Sequence, residues 1–281
     1  MADLQAWVGR AETVRDVASP GPYRRLAALL DHETPPWPEG EAPPLGWWLN
    51  FLPEARQGEL GEDGHPRRGG FLPPVDLPRR MWAGSRIAFS AAIPLGAAME
   101  KRSTILAVDP KRGRSGEMVF VTVRHEIFAD GRLAATEAQD IVYRDAPKPE
   151  AAPSAAPLAG PPPAAGWSRA VTPDPTLLFR YSALTYNAHR IHYDRAYATD
   201  AEGYPGLVVH GPLIATLLLD HYLRRRPGAR IAAFEFRAES PLFDRQPFTL
   251  NGDETGEGAA LWALAPDGRI AMRARVVIAS P

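Results

Sequence analysis

Two stretches of the chain alternate apolar and polar residues with the period of a β-strand, and each breaks on the same dipeptide. "EMVFVTVRHEIFADGRLAATEAQDIVYR" (117–144) turns at Asp130-Gly131, and "GAALWALAPDGRIAMRARVVIAS" (258–280) turns at Asp267-Gly268. Glycine supplies the positive φ that a tight hairpin demands, so both stretches predict antiparallel strand pairs. Earlier in each half comes another strand-like run, "SRIAFSAAIPL" (85–95) and "ARIAAFEFRAESPL" (229–242), each containing Arg-Ile-Ala and closing on Pro-Leu. Corresponding runs are offset by roughly 140 residues, the signature of an internal duplication.

The helical rhythm appears in "GPLIATLLLDHYLRRR" (211–226). Pro212 suits a first helical turn and Pro227-Gly228 marks the stop. Leu213, Ile214, Leu217 and Leu218 cover more than a narrow stripe, which predicts an enclosed helix. In the first half "LGWWLNFLPEARQG" (45–58) is the matching helical candidate. Strands and helices do not alternate as a parallel sheet would require. The pattern predicts, in each half, a long antiparallel sheet curled around one apolar helix.

Between the halves runs "APKPEAAPSAAPLAGPPPAAG" (146–166), whose Pro/Ala alternation removes donors and fixes φ, giving an extended spacer. This sets the expected units at 1–145, 146–166 and 167–281. A second irregular stretch, "ELGEDGHPRRGGFLPPVDLPRRMWAGS" (59–85), is too rich in Gly and Pro for an element interior and too apolar for a free tail. Loops of this kind are usually lids or binding walls.

Composition narrows the function. A formal charge of −1 supplies no global field toward nucleic acid or anionic lipid. The absence of cysteine removes disulfides, thiolate catalysis and Cys-based zinc sites. No apolar stretch has membrane length, and the N-terminus lacks a signal-peptide core, so the expected setting is the cytoplasm.

The candidate chemistry lies in "YSALTYNAHRIHYD" (181–194), followed by "VVHGPL" (208–213). "HRIH" sets two imidazoles three residues apart, and Asp194 or His210 could join them around a metal, but the spacing matches no established zinc motif. There is no G-x-S-x-G for a serine nucleophile. An acid/base reading needs less: a histidine near neutral pKa, a group to orient it, and a donor for developing negative charge. Gly211 opens the enclosed helix, whose first N–H groups have no internal partners and suit an oxyanion. Taken singly, each residue also reads as a loop filler; jointly they favour a site.

These residues resemble the MaoC-like hydratase/dehydratase family, in its hydroxyacyl-thioester dehydratase type 2 branch, which includes mesaconyl-C4-CoA (itaconyl-CoA) hydratases. "FRYSALTYNAHRIHYDRAYATDAEGYPGLVVHGPLIA" carries the likeness most specifically; "GEDGHPRRGGFLPPVDLPRRMWAGS" and "RSGEMVFVTVRHEIFADG" are similar to the N-terminal half of the same proteins. The resemblance implies an α+β double hot-dog, two antiparallel sheets each around a long helix, and reversible hydration of an enoyl thioester without a cofactor. The acyl group could be short and branched or a C5 dicarboxyl. A non-catalytic thioester-binding module and a thioesterase are the alternatives.

In the family motif an Asp precedes the catalytic His by five residues, with an Asn between. Here His192 holds the His position, while Asn187 replaces the Asp and His189 the Asn. An amide cannot exchange a proton at ordinary pH. The proton work is therefore expected on His192, with Asn187 orienting water and the Gly211 amide stabilising the enolate. Tyr181, His189, Arg190 and His210 are expected around the substrate, with His189 the runner-up base or else a supporting or exposed residue. Arg79, Arg80, Arg112, Arg114 and Arg224–Arg226 are candidates for CoA phosphates. The expected partner is an acyl-CoA or carrier thioester, and the expected state a monomer or homodimer.

Overall fold

A computed structural model of the chain describes residues 3–113, 116–145 and 164–279. Most of the Pro/Ala spacer, 146–163, lies outside the described residues, as do Arg114 and Ser115 in the "GRSGE" turn.

The N-terminal half contributes β1 (Ala11–Val17), α1 (Pro20–Leu29), β2 (Arg79–Phe89), β3 (Ala98–Gly113), β4 (Gly116–Ala129) and β5 (Arg132–Arg144). The C-terminal half contributes β6 (Trp167–Val171), α2 (Pro175–Thr185), α3 (Gly211–Arg225), β7 (Ile231–Ala238), β8 (Phe248–Thr255), β9 (Gly258–Leu264) and β10 (Ile270–Ile278). The sheet order is β1-β3-β4-β5-β2-β7-β10-β9-β8-β6. Replacing each N-terminal strand by its C-terminal counterpart reads that order backwards, so the duplication has become a pseudo-two-fold about the β2/β7 seam. The fold is an α+β hot-dog with one difference from the expected pair of sheets: β2 and β7 pair antiparallel, so the two sheets run on as one of ten strands.

The seam is built for close approach. A Cβ on Gly84 would lie 2.4 Å from the Phe236 carbonyl oxygen, so only glycine lets the strands pair there. Both Asp-Gly turns form. Asp130 and Gly131 take φ of 47° and 77°, a two-residue turn whose twist matches the strands. The other is longer: Ala265 N–H donates to the Arg269 carbonyl at 2.8 Å, and Gly268 alone takes the positive φ, 83°.

Every residue of α3 from Leu213 to Leu223 is buried, and the helix packs on β2, β8, β9 and β10. The helix expected over 45–58 does not form. It is a single 3-10 turn, Gly46–Leu49, flanked by Leu45 and Phe51 at φ of 66° and 54°. Leu45 and Phe51, both at positive φ, stop the helix on either side. Between them Trp47 and Trp48 each donate their indole N–H to one oxygen of buried Glu137, both at 3.0 Å, while Ser85 donates to the other at 2.7 Å. The irregular 59–85 stretch is anchored by Val75 and Leu77, which pack with Ile105, Val121 and Tyr143 in a satellite core. Among the described residues, no helix is long and apolar enough to cross a membrane.

Candidate active site

The structure opens a cavity of about 2450 Å³ between the halves. Ordinary small-molecule sites run to roughly 1,000 Å³, so this one has room for an extended ligand. Its wall includes Asn187, His189, His192, Gly211 and Tyr181 from the C-terminal half, and Gln57, Leu60, His65 and Leu72 from the N-terminal half.

The turn that carries Asn187 and His192 is held by local chemistry. Tyr186, at φ 49°, ends α2, and the Asn187 side-chain oxygen accepts the His189 backbone N–H at 2.9 Å. That leaves the Asn187 amide NH₂ available on the cavity wall. A 3-10 turn, Arg190–His192, follows and buries the His192 ring. His192 Nδ1 lies 2.7 Å from the Val208 carbonyl oxygen, which can only accept. Nδ1 therefore carries the proton and Nε2 a lone pair. Burial, with a smaller push from His65, pulls the His192 pKa down to about 4 against the opposing bond to Val208, so the ring is a free base at neutral pH.

His210 stacks on His192 at 3.7 Å between ring centroids, bonds Ser182 Oγ at 2.9 Å, and is fully buried. It stands behind His192 rather than on the cavity wall. The Tyr181 ring meets His210 edge-on at 5.0 Å. Gly211 begins α3, so its N–H and that of Leu213 have no intrahelical acceptor. A Cβ at Gly211 would meet nothing closer than the Trp82 carbonyl at 3.8 Å, so packing alone would accept alanine there.

Arg190 sits elsewhere. It pairs with Asp194 at 2.7 Å, donates to the Glu62 carbonyl at 3.0 Å, and stacks over Tyr197. Its work is to tie the 59–85 loop to the catalytic turn, helped by its backbone N–H, which donates to the Asp63 carbonyl at 2.9 Å. The Arg224–Arg226 run also faces away from the cavity. Arg224 pairs with buried Asp220, and Arg226 with Glu254. Arg112 is absent from the cavity wall, whereas Arg79 and Arg80 are on it.

The 59–85 loop adds two residues that the spacing of the catalytic stretch did not reveal. Asp63 accepts from His65 twice, Oδ2 from Nδ1 at 2.9 Å and Oδ1 from the backbone N–H at 3.0 Å. The His65 ring lies 4.1 Å from that of His189, which is 5.3 Å from His192. Burial would raise the Asp63 carboxyl, but the bonds and charge of His65 outweigh it and hold the pKa well below the usual range. Burial, His65 and His192 together drive His189 down to about 2. Ligand atoms of Asp63, His65 and His189 come within 4.8 Å of one another. Both Asp63 oxygens already accept from His65, which occupies part of the carboxylate's capacity and turns it toward that ring.

Residues 46–244 match the family model for hydroxyacyl-thioester dehydratase type 2. The chain belongs to that family. It is 46% identical over 98% of its length to mesaconyl-C(4)-CoA hydratase of Chloroflexus aurantiacus, covering 98% of that protein. It is 45% identical over 93 residues, 32% of this chain and 30% of the relative, to the mitochondrial hydroxyacyl-thioester dehydratase type 2 of Schizosaccharomyces pombe. Among solved structures it resembles HtdX of Mycobacterium tuberculosis (TM-score 0.65, 18% identity, 95% of this chain and 99% of that one) and a MaoC-like dehydratase (TM-score 0.68, 15% identity, 99% and 100%). Those structures bear on the fold alone. As a type 2 dehydratase of the MaoC-like group, the chain is a hydro-lyase acting on an acyl thioester, and its substrate is acyl-CoA or a related thioester.

Proposed function

We propose that the enzyme hydrates a branched C5 dicarboxyl enoyl-CoA of the mesaconyl-C4 type, reversibly, to the 3-hydroxyacyl thioester. One observation carries this choice of acyl group. Arg79 is paired with Glu202 at 3.1 Å, whereas Arg80, next along β2 on the cavity wall, has no ion-pair partner among the described residues. Its charge lies close enough to His65 and His189 to weaken both as bases. A cation without a counterion beside the proton-handling groups suits a substrate carboxylate near the reacting double bond. The full-length likeness to a mesaconyl-C(4)-CoA hydratase points the same way.

In this reading His192 Nε2 takes a proton from water as the oxygen attacks the β-carbon. The Asn187 NH₂ donates to that water and fixes its lone pair toward carbon. The thioester oxygen takes the developing charge against the Gly211 N–H, at the positive end of α3. His210 backs the His192 ring, and Tyr181 meets His210 edge-on. The N-terminal unit, 1–145, supplies the acyl wall and the C-terminal unit, 167–281, the catalytic turn. A cysteine-free chain suits the reducing cytoplasm, where we place it.

A substrate panel tests the proposal. Mesaconyl-C4-CoA is expected to exceed crotonyl-CoA in kcat/KM by about 10²-fold. Arg80→Gln should remove that advantage, on the order of 10²-fold as for a lost charge-assisted contact, while leaving crotonyl-CoA within a few-fold of wild type. Equal loss on both substrates, or a wild-type preference for crotonyl-CoA, overturns it.

A further inference from the structure

Hydration makes and breaks more than one bond to hydrogen. A water O–H breaks as oxygen joins the β-carbon, and a C–H forms at the α-carbon. The family motif answers with a carboxyl and an imidazole, but Asn187 cannot exchange a proton. A second exchanging group has to come from another segment, or His192 must perform both transfers.

We infer that His65, held by Asp63, is that second group, its Nε2 giving a proton to the α-carbon in hydration and removing it in dehydration. The inference rests on the hydratase reading above, with His192 as the partner at the water. Asp63 fixes the His65 ring through Nδ1, so Nε2 is the atom left for exchange. The ring lines the cavity and lies one imidazole away from His192, through His189. Asp63 touches no substrate in this scheme and is a positioning residue.

The distribution of charge favours this assignment. Four imidazoles, His65, His189, His192 and His210, are clustered, and of these only His65 has a carboxylate bonded to it. A proton shared by the cluster is most stable beside that counterion. Burial, with Arg80 and Arg68, holds the His65 pKa below that of a free imidazole against the bond and charge of Asp63, so its protonated form belongs to the acid side of neutrality. His189 is the remaining titratable group in contact, and it is neutral.

The step balances. In hydration His192 enters neutral and His65 protonated. The water proton moves to His192 Nε2, the β-carbon gains oxygen, the π pair moves toward the thioester, and His65 Nε2 delivers its proton to the α-carbon. One proton has then passed from His65 to His192 in net terms, and it returns through His189 or solvent before the next turnover.

The docking of the loop supports a built site. Gly64, between Asp63 and His65, has φ 88°, and a Cβ there would sit 1.9 Å from the Ala188 carbonyl oxygen. Only glycine admits this approach, and Arg190 clamps Glu62 and Asp63 from the other side. The acid–base pair is thus assembled from both halves of the duplication.

The test uses the full chain and steady-state hydration of the best thioester in the panel. His65→Asn retains a donor for Asp63 while removing Nε2, and should lower kcat by about 10²–10³-fold with KM within threefold. Wild-type kcat/KM should be bell-shaped in pH, needing His192 deprotonated and His65 protonated, and His65→Asn should lose the alkaline limb. Asp63→Asn takes away the charge that raises the His65 pKa, so it should move that limb to lower pH with a smaller loss of kcat. Retention of kcat within threefold in His65→Asn overturns the inference. So does a loss that leaves the shape of the profile unchanged, or turnover abolished by a chelator and restored by zinc. Should wild type hydrate none of the panel thioesters, the functional reading itself falls; an active wild type with an equally active His65→Asn removes the second group alone.

Discussion

Replacing Gly64 by alanine separates the docking of the N-terminal loop from the stability of the fold. The residue has φ 88°, where a Cβ costs about 1–2 kcal/mol of backbone strain. The Cβ would also lie 1.9 Å from the Ala188 oxygen, on the order of 1.5 Å inside the usual separation of non-bonded atoms. Neither the catalytic turn nor the loop can yield cheaply, because Arg190 ties Glu62 and Asp63 to that turn through two hydrogen bonds of 3.0 and 2.9 Å. The loop must therefore lift by about an ångström, and displacements of that size cost about 10² in rate. Gly69 provides the control. It has φ 90° in the same loop, but its Cβ would meet only Pro74 Cβ, at 3.6 Å. Gly69→Ala therefore carries the strain without the collision. Gly69→Ala should lose a few degrees of Tm from strain alone, since 1 kcal/mol moves a chain of this size by about 2–4 °C, and Gly64→Ala somewhat more because the collision adds to it. Only Gly64→Ala should lose about 10²-fold in kcat for hydration, read by enoyl-thioester absorbance. If Gly64→Ala keeps kcat within threefold of wild type, or Gly69→Ala loses as much, the loop does not form part of the catalytic wall.

Asp220 offers a test of stability without chemistry. It is 3% exposed and binds His32 at 2.5 Å, Arg224 at 2.8 Å and Arg169 at 3.0 Å, joining α3 to the region after α1 and to β6. Asp220→Ala leaves three groups without their carboxylate and should destabilise by about 3–5 kcal/mol in urea unfolding, with kcat per folded molecule unchanged; a shift below about 1 kcal/mol refutes the network as a fastening. Acid should also weaken the fold by a stated route. His192 and His221 have folded pKa values pulled down to about 4, mainly by burial, and that of His189 is about 2. The unfolded chain binds protons at these sites from about pH 6.5 downward while the folded chain does not, so stability is fully present above about 6.5 and falls as pH drops toward 4. His192→Gln should shallow that slope in Tm measured from pH 7 to 4.5, and an unchanged slope would place the acid sensitivity elsewhere.

The hairpins and α3 were legible because each is decided locally. Asp-Gly supplies positive φ within its own strand pair, and α3 is apolar on every side from Leu213 to Leu219 apart from Thr216. The grouping of Asn187, His192 and Gly211 on one cavity wall was legible for the same reason: the side chain of Asn187, the turn that buries His192 and the N-terminus of α3 lie within one continuous stretch. The 3-10 turn at Gly46–Leu49 was not. Trp47 and Trp48 look like an apolar helix face until Glu137, ninety residues away in sequence from Trp47, draws both indole N–H groups onto its carboxylate. His65 was hidden by the same cause, since Asp-Gly-His in a Gly/Pro-rich loop reads as a turn until Ala188 and Arg190 come to meet it. Arg190 misled in the opposite sense. Its i,i+4 partner Asp194 was visible, yet the side chain was expected to face the substrate instead of that carboxylate and the Glu62 carbonyl.

The reversed strand order about the β2/β7 seam makes the two halves equivalent in the sheet, but not in what they enclose. In the C-terminal half the segment between α2 and β7 builds the catalytic turn and then α3. In the N-terminal half the corresponding segment, between α1 and β2, forms only the turn at Gly46–Leu49 and carries the long loop instead. A full-length helix at that position would need its own enclosed volume; a short turn pinned to Glu137 leaves Trp48 and Trp82 as one wall of an open cavity. The short turn and the large site are thus two aspects of one arrangement. The C-terminal half has the long helix, with the unpartnered N–H groups of Gly211 and Leu213 at its start. The N-terminal half carries instead a loop that reaches across the seam and sets Asp63 and His65 against the other half's histidines.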